Sequence, residues 1–217
     1  METFSTTVEK HKNNNQTNIL NKTFNLIVEK GINNLTFNEI AKQSNIGVAS
    51  VYRYFSNKSN LISNCAIFKL SNITKDIEEF ITKLDLNERK AIDQFEALLN
   101  CYAIFFKKNK NFLKFLSEFD NYFTYNKMDK DIEKHYNELY KSFYIISKNI
   151  YIKGLNDKSF NKIENFDTFY FTITTSLLQA CIKGAVNPSI IPLDSLISTE
   201  NKIKTLIKVA INYCKRS

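Results

Sequence analysis

Residues 36–58 read TFNEIAKQSNIGVASVYRYFSNK, and this stretch decides the fold of the N-terminal part of the chain. Thr36 and Glu39 form the S/T-x-x-E pattern, in which a hydroxyl and a carboxylate each accept a hydrogen bond from the other residue's free backbone amide. This pattern predicts that a short helix begins at Thr36. Asn45 tolerates the left-handed conformation of a tight turn, and Ile46 is the apolar side chain expected inside such a turn. The stretch therefore predicts two short helices joined by a tight turn.

The second short helix opens at Gly47, and its two faces differ in chemistry. At about 100° per residue, Val51 points inward together with Tyr54 and Phe55. The outward face then carries small, polar, aromatic and cationic side chains: Ala49, Ser50, Tyr52 and Arg53. Such a face suits a DNA major groove, because Arg can bond guanine edges bidentately, Ser can bond a base or a phosphate, and Ala leaves room for thymine methyl groups. The two helices predict a DNA-binding helix-turn-helix.

Lys58 lies just beyond the second helix, where its ammonium group can contact a phosphate and fix the register of the protein on DNA. We predict that DNA is bound by one set of residues: Thr36, Gly47, Val48, Ala49, Ser50, Tyr52, Arg53, Tyr54 and Lys58. The alternative is a plain helical hairpin whose polar face is only solvated. The cap, the asparagine turn, its apolar residue and the Tyr-x-Tyr-Phe-x-x-Lys ending occur at compatible spacings, which favours DNA binding.

The same residues resemble the N-terminal signature of the TetR family of transcriptional regulators. The resemblance covers roughly residues 17–65 and is most specific in the Tyr-x-Tyr-Phe-x-x-Lys element that ends at Lys58. Members often carry glycine where this chain has Asn45, and a polar or basic residue where it has Val48. Asparagine can make the turn, whereas valine can add contact area but no charge. The rest of the chain agrees with the family in length and helical character.

The composition favours helices. The 217 residues include 43% hydrophobic side chains but only four Gly and two Pro, which allows a substantial core and leaves little for a sheet with many turns. Apolar residues recur at helical spacing along most of the chain. We predict an all-α fold, with an N-terminal three-helix helix-turn-helix DNA-binding domain and a larger C-terminal helical domain, to which the family resemblance assigns ligand binding and dimerisation.

Charge and cysteine spacing narrow the class of protein further. The net charge of +8 and the isoelectric point near 9.1 favour a polyanionic partner. Four widely spaced cysteines, without a C-x-x-C pair, indicate reduced core residues, with a sensor thiol as the alternative. No apolar stretch is long enough to be a signal peptide or to cross a bilayer. We expect a soluble, cytoplasmic protein with no membrane partner, metal or cofactor.

The chain divides into three parts. Residues 1–13 are polar and are predicted to form a disordered arm. Residues 14–58 form the DNA-binding domain, whose first helix ends at Gly31. The family resemblance implies that residues 59–217 form the effector-binding and dimerisation domain. Within them, residues 59–75 form a connector helix that could transmit movement between the domains.

The middle of the chain contains the densest aromatic cluster. Small-molecule pockets are typically apolar with a few polar groups. We predict that an apolar or aromatic effector, or a cation held by aromatic faces and Glu118, is bound by Tyr102, Phe105, Phe106, Phe115, Glu118, Phe119 and Tyr122. Phenylalanine at helical spacing also forms plain core, so that alternative stays open. Asn87 is predicted to cap the helix before the cluster, and Gly154 to end the helix that follows it.

The last two helices carry the most regular apolar stripes. Residues 165–183 have two: one runs through Phe166, Phe169, Tyr170, Ile173 and Leu177, and the other through Phe171, Leu178 and Ile182. Residues 199–214 have a single stripe: Ile203, Leu206, Ile207, Ala210, Ile211 and Cys214. The first helix could be central in the monomer. The family resemblance implies instead that both helices pair with their copies across a two-fold axis.

No catalytic motif accompanies these features, so we do not expect an enzyme. His11 lies in the predicted arm and His135 on a polar helix face, and no nucleophile elbow or phosphate loop is present. The resemblance implies a homodimeric repressor that binds double-stranded operator DNA and is released by a small-molecule effector. The alternative is a DNA-binding or adaptor module without a small-molecule response.

Overall fold

The computed structural model describes residues 4–83, 88–186 and 196–216. In these ranges the chain is helical: α1 Phe4–Lys30, α2 Phe37–Ser44, α3 Val48–Tyr54, α4 Lys58–Lys83, α5 Ala91–Lys108, α6 Lys110–Tyr125, α7 Lys130–Asn156, α8 Phe166–Val186 and α9 Thr199–Cys214. The only β pairing among the described residues is one isolated bridge between Phe160 and Lys215. The predicted all-α fold is confirmed.

The predicted disordered arm is helical from Phe4 onward, and residues 1–3 lie outside the described residues. The polar composition suggested disorder, but residues 4–30 contain neither Gly nor Pro, so nothing in this part of the chain interrupts the helix. The predicted end of the helix is confirmed. Gly31 follows α1 with φ +80°, a left-handed conformation that glycine adopts without strain.

The chain forms two compact units. The first contains the residues up to Ser71 and Phe115–Asn137. In it α1 packs against α2, and α2 against α3. Fully buried aliphatic side chains from four helices form its core: Ile19, Ile27, Ile40, Val51 and Leu61. The predicted functional boundary after residue 58 stays a prediction; by packing, the first unit also includes the start of α4 and the second half of α6.

The second unit contains Asn72–Lys114 and the residues from Glu138 onward. Helices α5, α8 and α9 pack against one another. Phe95 is fully buried and lies within 6.3 Å, centroid to centroid, of three other rings: Phe160, Phe166 and Phe169. Aromatic packing at these distances adds to the burial of apolar surface, so these four rings form part of the core of this unit.

Two predicted helix boundaries in this unit differ from the structure. Asn87 lies outside the described residues; α5 begins at Ala91, and Asp157 accepts a hydrogen bond from the Ala91 amide at 2.8 Å. Helix α7 runs through Gly154 to Asn156. Glycine is needed there for a close approach, since a Cβ atom would lie 2.1 Å from the Phe160 ring. The sequence alone does not distinguish a glycine that ends a helix from a glycine that allows a neighbouring side chain to approach the helix.

Candidate DNA-binding site

The first helix of the helix-turn-helix begins as predicted, but only one half of the predicted cap forms. Thr36 is the N-cap of α2, and its hydroxyl accepts a hydrogen bond from the Glu39 amide at 3.3 Å. The Glu39 carboxylate does not complete the reciprocal pair. It forms an ion pair with Lys30 at the end of α1. The glutamate therefore ties α1 to α2, a partner that the local pattern could not indicate.

The turn between α2 and α3 is built as the sequence predicts. Asn45 adopts the left-handed conformation, with φ 55° and ψ 45°, and Ile46 donates its amide to the Ala41 carbonyl at 3.1 Å. From α1, the Asn18 side chain donates a hydrogen bond to the Ser44 carbonyl at 2.9 Å. Asn18 therefore helps to hold the C-terminal end of α2, and sequence reasoning missed it because the two residues are 26 positions apart.

Helix α3 presents the predicted face outward. Val51 has no exposed surface and Phe55 is buried. Arg53 is exposed, with its guanidinium carbon 5.3 Å from the centre of the half-buried Tyr54 ring. Tyr52 is 57% exposed and packs on Phe37 of α2 with a 4.5 Å centroid distance, which limits the conformations of its ring. The inward and outward directions predicted for α3 match the structure.

The remaining predicted contacts lie at the two ends of α3. Gly47 is its N-cap, without a side-chain cap hydrogen bond and with open space where a Cβ would stand. Ala49 is exposed, and Val48 and Ser50 are half-buried. Lys58 is the first residue of α4, with Nζ 3.5 Å from the Asn33 carbonyl oxygen. Burial, followed by the charge of Lys30, lowers the pKa of Lys58, so an anion beside this ammonium group would be favoured.

The residues predicted to bind an effector fall into two groups. Tyr102, Phe105 and Phe106 belong to the second unit. The other four belong to the first: Phe115, Glu118, Phe119 and Tyr122. Two of those four make polar contacts with the DNA-binding helices. Glu118 accepts a hydrogen bond from the Ile32 amide at 2.9 Å, and the Tyr122 hydroxyl lies 3.0 Å from the Ser59 hydroxyl.

The stripes predicted to form a dimer interface are largely internal to the monomer. Leu177 is fully buried and Ile207 nearly so. Phe171, in the second predicted stripe of α8, is exposed, and so are Val209 and Tyr213, which lie outside the predicted stripe of α9. Within the part of the chain that the structure describes, no group of His, Cys, Asp and Glu could hold a metal ion. Over the same residues, no helix combines the length and hydropathy that crossing a membrane requires.

Comparison with solved structures shows the fold. A regulator from Saccharomonospora viridis, solved in complex with choline, aligns with a TM-score of 0.72 over 93% of this chain and 98% of that one, at 13% identity. A regulator from Haloarcula marismortui aligns with a TM-score of 0.69 over 93% and 96%, at 16% identity. FadR from Bacillus subtilis, solved in complex with stearoyl-CoA, aligns with a TM-score of 0.63 over 91% and 98%, at 14% identity.

Comparison of sequences locates the family signature in the DNA-binding helices. Among curated proteins, none matches this chain. The sequence model of the family described as "Bacterial regulatory proteins, tetR family" matches residues 19–65. This range holds the C-terminal part of α1, all of α2 and α3, and the first residues of α4. Residues 19–65 carry the signature of TetR-family regulators on a helix-turn-helix, and the chain has the fold of the solved regulators over most of its length.

Proposed function

We propose that the protein is a homodimeric repressor that binds operator DNA through α3 and is released by a small apolar or aromatic molecule. The observation that carries the proposal is the outward face of α3, where Ala49, Tyr52 and Arg53 are exposed while Val51 and Phe55 are buried. An exposed tyrosine and arginine on a seven-residue helix are suited to a major groove, where Arg can bind guanine and small residues allow close approach.

The residues at the starts of α2, α3 and α4 could position the protein on the phosphate backbone of DNA. Thr36 and Gly47 begin α2 and α3 respectively, so the free backbone amides of the first turn lie beside them. Lys58 adds a cation at the start of α4. Val48, Ser50 and Tyr54 complete the proposed DNA-binding set. Phosphate contacts of this kind set the register of a protein on DNA, whereas contacts to base edges set its sequence preference.

A second copy of the chain is the proposed cover for the exposed apolar positions of α8 and α9. Phe171 is 54% exposed and stacks on Tyr144 at 5.3 Å, so its ring has a fixed orientation. Val209 and Tyr213 are 57% and 59% exposed and lie four residues apart on one face of α9. A two-fold pair would place two α3 helices on two half-sites, whose spacing tolerates little change.

The proposed effector site is centred on Tyr102 of α5 and includes Phe105 and Phe106. Burial, together with nearby Tyr170, Tyr140 and Cys181, raises the pKa of the Tyr102 hydroxyl. The residue as a whole is nevertheless half-buried. An aromatic wall with a few hydroxyl groups suits a small apolar molecule with one polar group.

The small molecules bound in two similar solved structures support a small-molecule response without identifying the ligand. One relative was solved with choline and another with stearoyl-CoA. In this chain, α4, α6 and α7 each have residues in both compact units. A ligand would reduce DNA affinity only if it binds the conformation that has released DNA more tightly than the conformation that binds DNA. The ratio of these two ligand affinities sets the largest possible reduction.

The test is a titration of DNA in the presence of candidate ligands. A duplex is first selected from a random-sequence pool by the protein, and its affinity is measured by fluorescence anisotropy. Neutral, cationic and anionic aromatic and aliphatic compounds are then screened by thermal shift, and those that stabilise the protein are added to the complex. We expect a compound that stabilises the parent to release the duplex, and Tyr102→Ala to weaken that effect. Stabilisation without release would favour a DNA-binding module that has no ligand response.

A further inference from the structure

The second half of α6 packs against the DNA-binding helices through one face. Phe115, Glu118 and Tyr122 lie at i, i+3 and i+7, so they share a side of the helix. Phe115 is fully buried, and its ring lies 5.5 Å from that of Phe24 in α1. This apolar contact places the two polar side chains, one and two turns further along α6, beside other parts of the same compact unit.

The first of these polar side chains holds the connection between α1 and α2. Glu118 accepts a hydrogen bond from the Ile32 amide at 2.9 Å. The same carboxylate oxygen lies 2.9 Å from the position that a Cβ on Gly31 would take, so glycine makes the approach possible. The Ile32 side chain is buried, and the Ile32 backbone carbonyl accepts a hydrogen bond from the Leu35 amide at 3.1 Å. Thr36, the N-cap of α2, follows directly.

The second polar side chain holds the start of α4. The Tyr122 hydroxyl lies 3.0 Å from the hydroxyl of Ser59, the residue after Lys58. Lys58, Ser59 and Tyr122 also line one polar cleft of about 480 Å³. Lys58 in turn contacts the carbonyl of Asn33, the residue after Ile32. Helix α6 therefore contacts two segments that also contact each other: the connection between α1 and α2, and the start of α4.

We infer that Glu118 is a positioning residue for DNA recognition. Its carboxylate fixes the Ile32 amide and hence the connection from which α2 begins. The connection also carries the Asn33 carbonyl on which the Lys58 ammonium group rests. The inference rests on the proposed phosphate contact of Lys58 and assigns to Glu118 a role other than binding an effector. Because α6 supplies the contact, DNA affinity depends on residues far beyond the matched signature.

The test compares Glu118→Ala with Glu118→Gln in the full chain. The duplex is the one that the parent selects from a random-sequence pool. Alanine leaves the Ile32 amide without an acceptor, and a partly buried donor left unpaired is costly. We expect about a tenfold loss of DNA affinity, with little change in the dependence on salt, because no phosphate contact is removed. Glutamine keeps an acceptor oxygen and should restore affinity to within about twofold of the parent.

Two further measurements separate this role from general effects. Glu133→Ala, at an exposed position in α7, removes the same negative charge and should not lower DNA affinity. Amide hydrogen exchange at Ile32 should accelerate in Glu118→Ala and stay slow in Glu118→Gln. Parent-like DNA affinity in the alanine variant would overturn the inference, as would equal losses in both variants. A parent protein that selects no duplex would instead refute the proposed DNA-binding site.

Discussion

At the scale of single residues, the guanidinium of Arg53 is the group best placed to read a base. Arg53 is exposed, and its guanidinium carbon lies 5.3 Å from the centre of the half-buried Tyr54 ring. We expect Arg53→Ala to cost roughly 1–3 kcal/mol in binding and to relax sequence preference at one operator position. Competition between the selected duplex and single-base variants measures both effects. Unchanged affinity and preference would exclude Arg53 as a reading residue.

Lys58 has a different predicted signature, because a phosphate contact carries no sequence information. We expect Lys58→Ala to weaken binding about equally for operator and unrelated duplexes, and to reduce the slope of log affinity against log salt by about 1. Titrations at several salt concentrations provide the slope. Lys204→Ala, at an exposed position in α9, is the matched control and should leave the slope unchanged. Loss of affinity for the operator alone would contradict the phosphate assignment.

The side-chain directions in α3 could be predicted from the sequence, whereas the partner of Glu39 could not. Burial of Val51 follows from a helical period that needs only local information. The Glu39 carboxylate has two possible partners, the Thr36 amide or a cation from elsewhere, and Lys30 supplies the cation from the end of α1. The same limit applies to Asn18 and Glu118, whose partners are distant in sequence.

At the scale of elements, the start of α5 depends on a loop more than sixty residues away. Asp157 accepts a hydrogen bond from the Ala91 amide, and Ser159 accepts one from the Ile92 amide at 3.2 Å. Although burial acts in the opposite direction, hydrogen bonds from Ser159 and the Ala91 amide lower the pKa of Asp157 below its ordinary 3.8. The ionised carboxylate is therefore favoured in the folded protein.

We expect Asp157→Ala to lower the free energy of unfolding by about 1 kcal/mol at neutral pH, the usual cost of losing a helix cap. Because the folded pKa is lowered, this stabilisation is present above pH 3.8 and is lost as the pH falls through the lower folded value. Urea unfolding of both proteins at pH 7 and at acid pH measures the difference. Asp76→Ala, at an exposed position in α4, is the control. Equal stability of Asp157→Ala and the parent at pH 7 would contradict the cap.

The exposed positions of α8 and α9 give a cleaner test of pairing than the predicted stripes. A charge at Leu177 or Ile207 would unfold the monomer, since both are buried within it. We expect Val209→Asp to convert a dimer into a folded monomer at micromolar concentration. Light scattering measures the mass and circular dichroism the helical content, with Lys204→Asp as control. A parent that is already monomeric, or a Val209→Asp variant that stays dimeric, would refute this interface.

At the scale of the whole molecule, all four cysteines are removed from solvent. Burial raises the pKa of Cys65, Cys181 and Cys214 to about 12, and that of Cys101 to about 11. We expect the folded protein to resist alkylation at pH 8, whereas the unfolded protein takes up four groups. The pKa of each buried thiol is higher in the folded protein than in the unfolded one. The free energy of unfolding is therefore unaffected by thiol ionisation below pH 9, and it decreases as the pH rises from 9 toward 12. Rapid alkylation of the folded protein would instead support a sensor thiol.

The N-terminal unit could be predicted in more detail than the rest because its signature is local. The turn at Asn45 and the stop at Gly31 each follow from one residue's conformational preference. The assignment of α6 to two units could not be predicted, because Phe112 and Phe115 look equivalent in sequence and differ in what they pack against: Phe112 lies beside Phe105 of α5, and Phe115 beside Phe24 of α1. The sequence therefore predicts one aromatic site, although the residues of that site belong to two units.

Because every native thiol is buried, a thiol-reactive spectroscopic probe should label only a cysteine that is introduced at an exposed position. A maleimide dye or nitroxide attached to one introduced cysteine would report from that position alone, with no need to replace native residues. Ala49 is a suitable position because it is small and exposed on α3. In a pair of identical chains, one such substitution yields two labels, and the distance between them follows the separation of the two α3 helices directly.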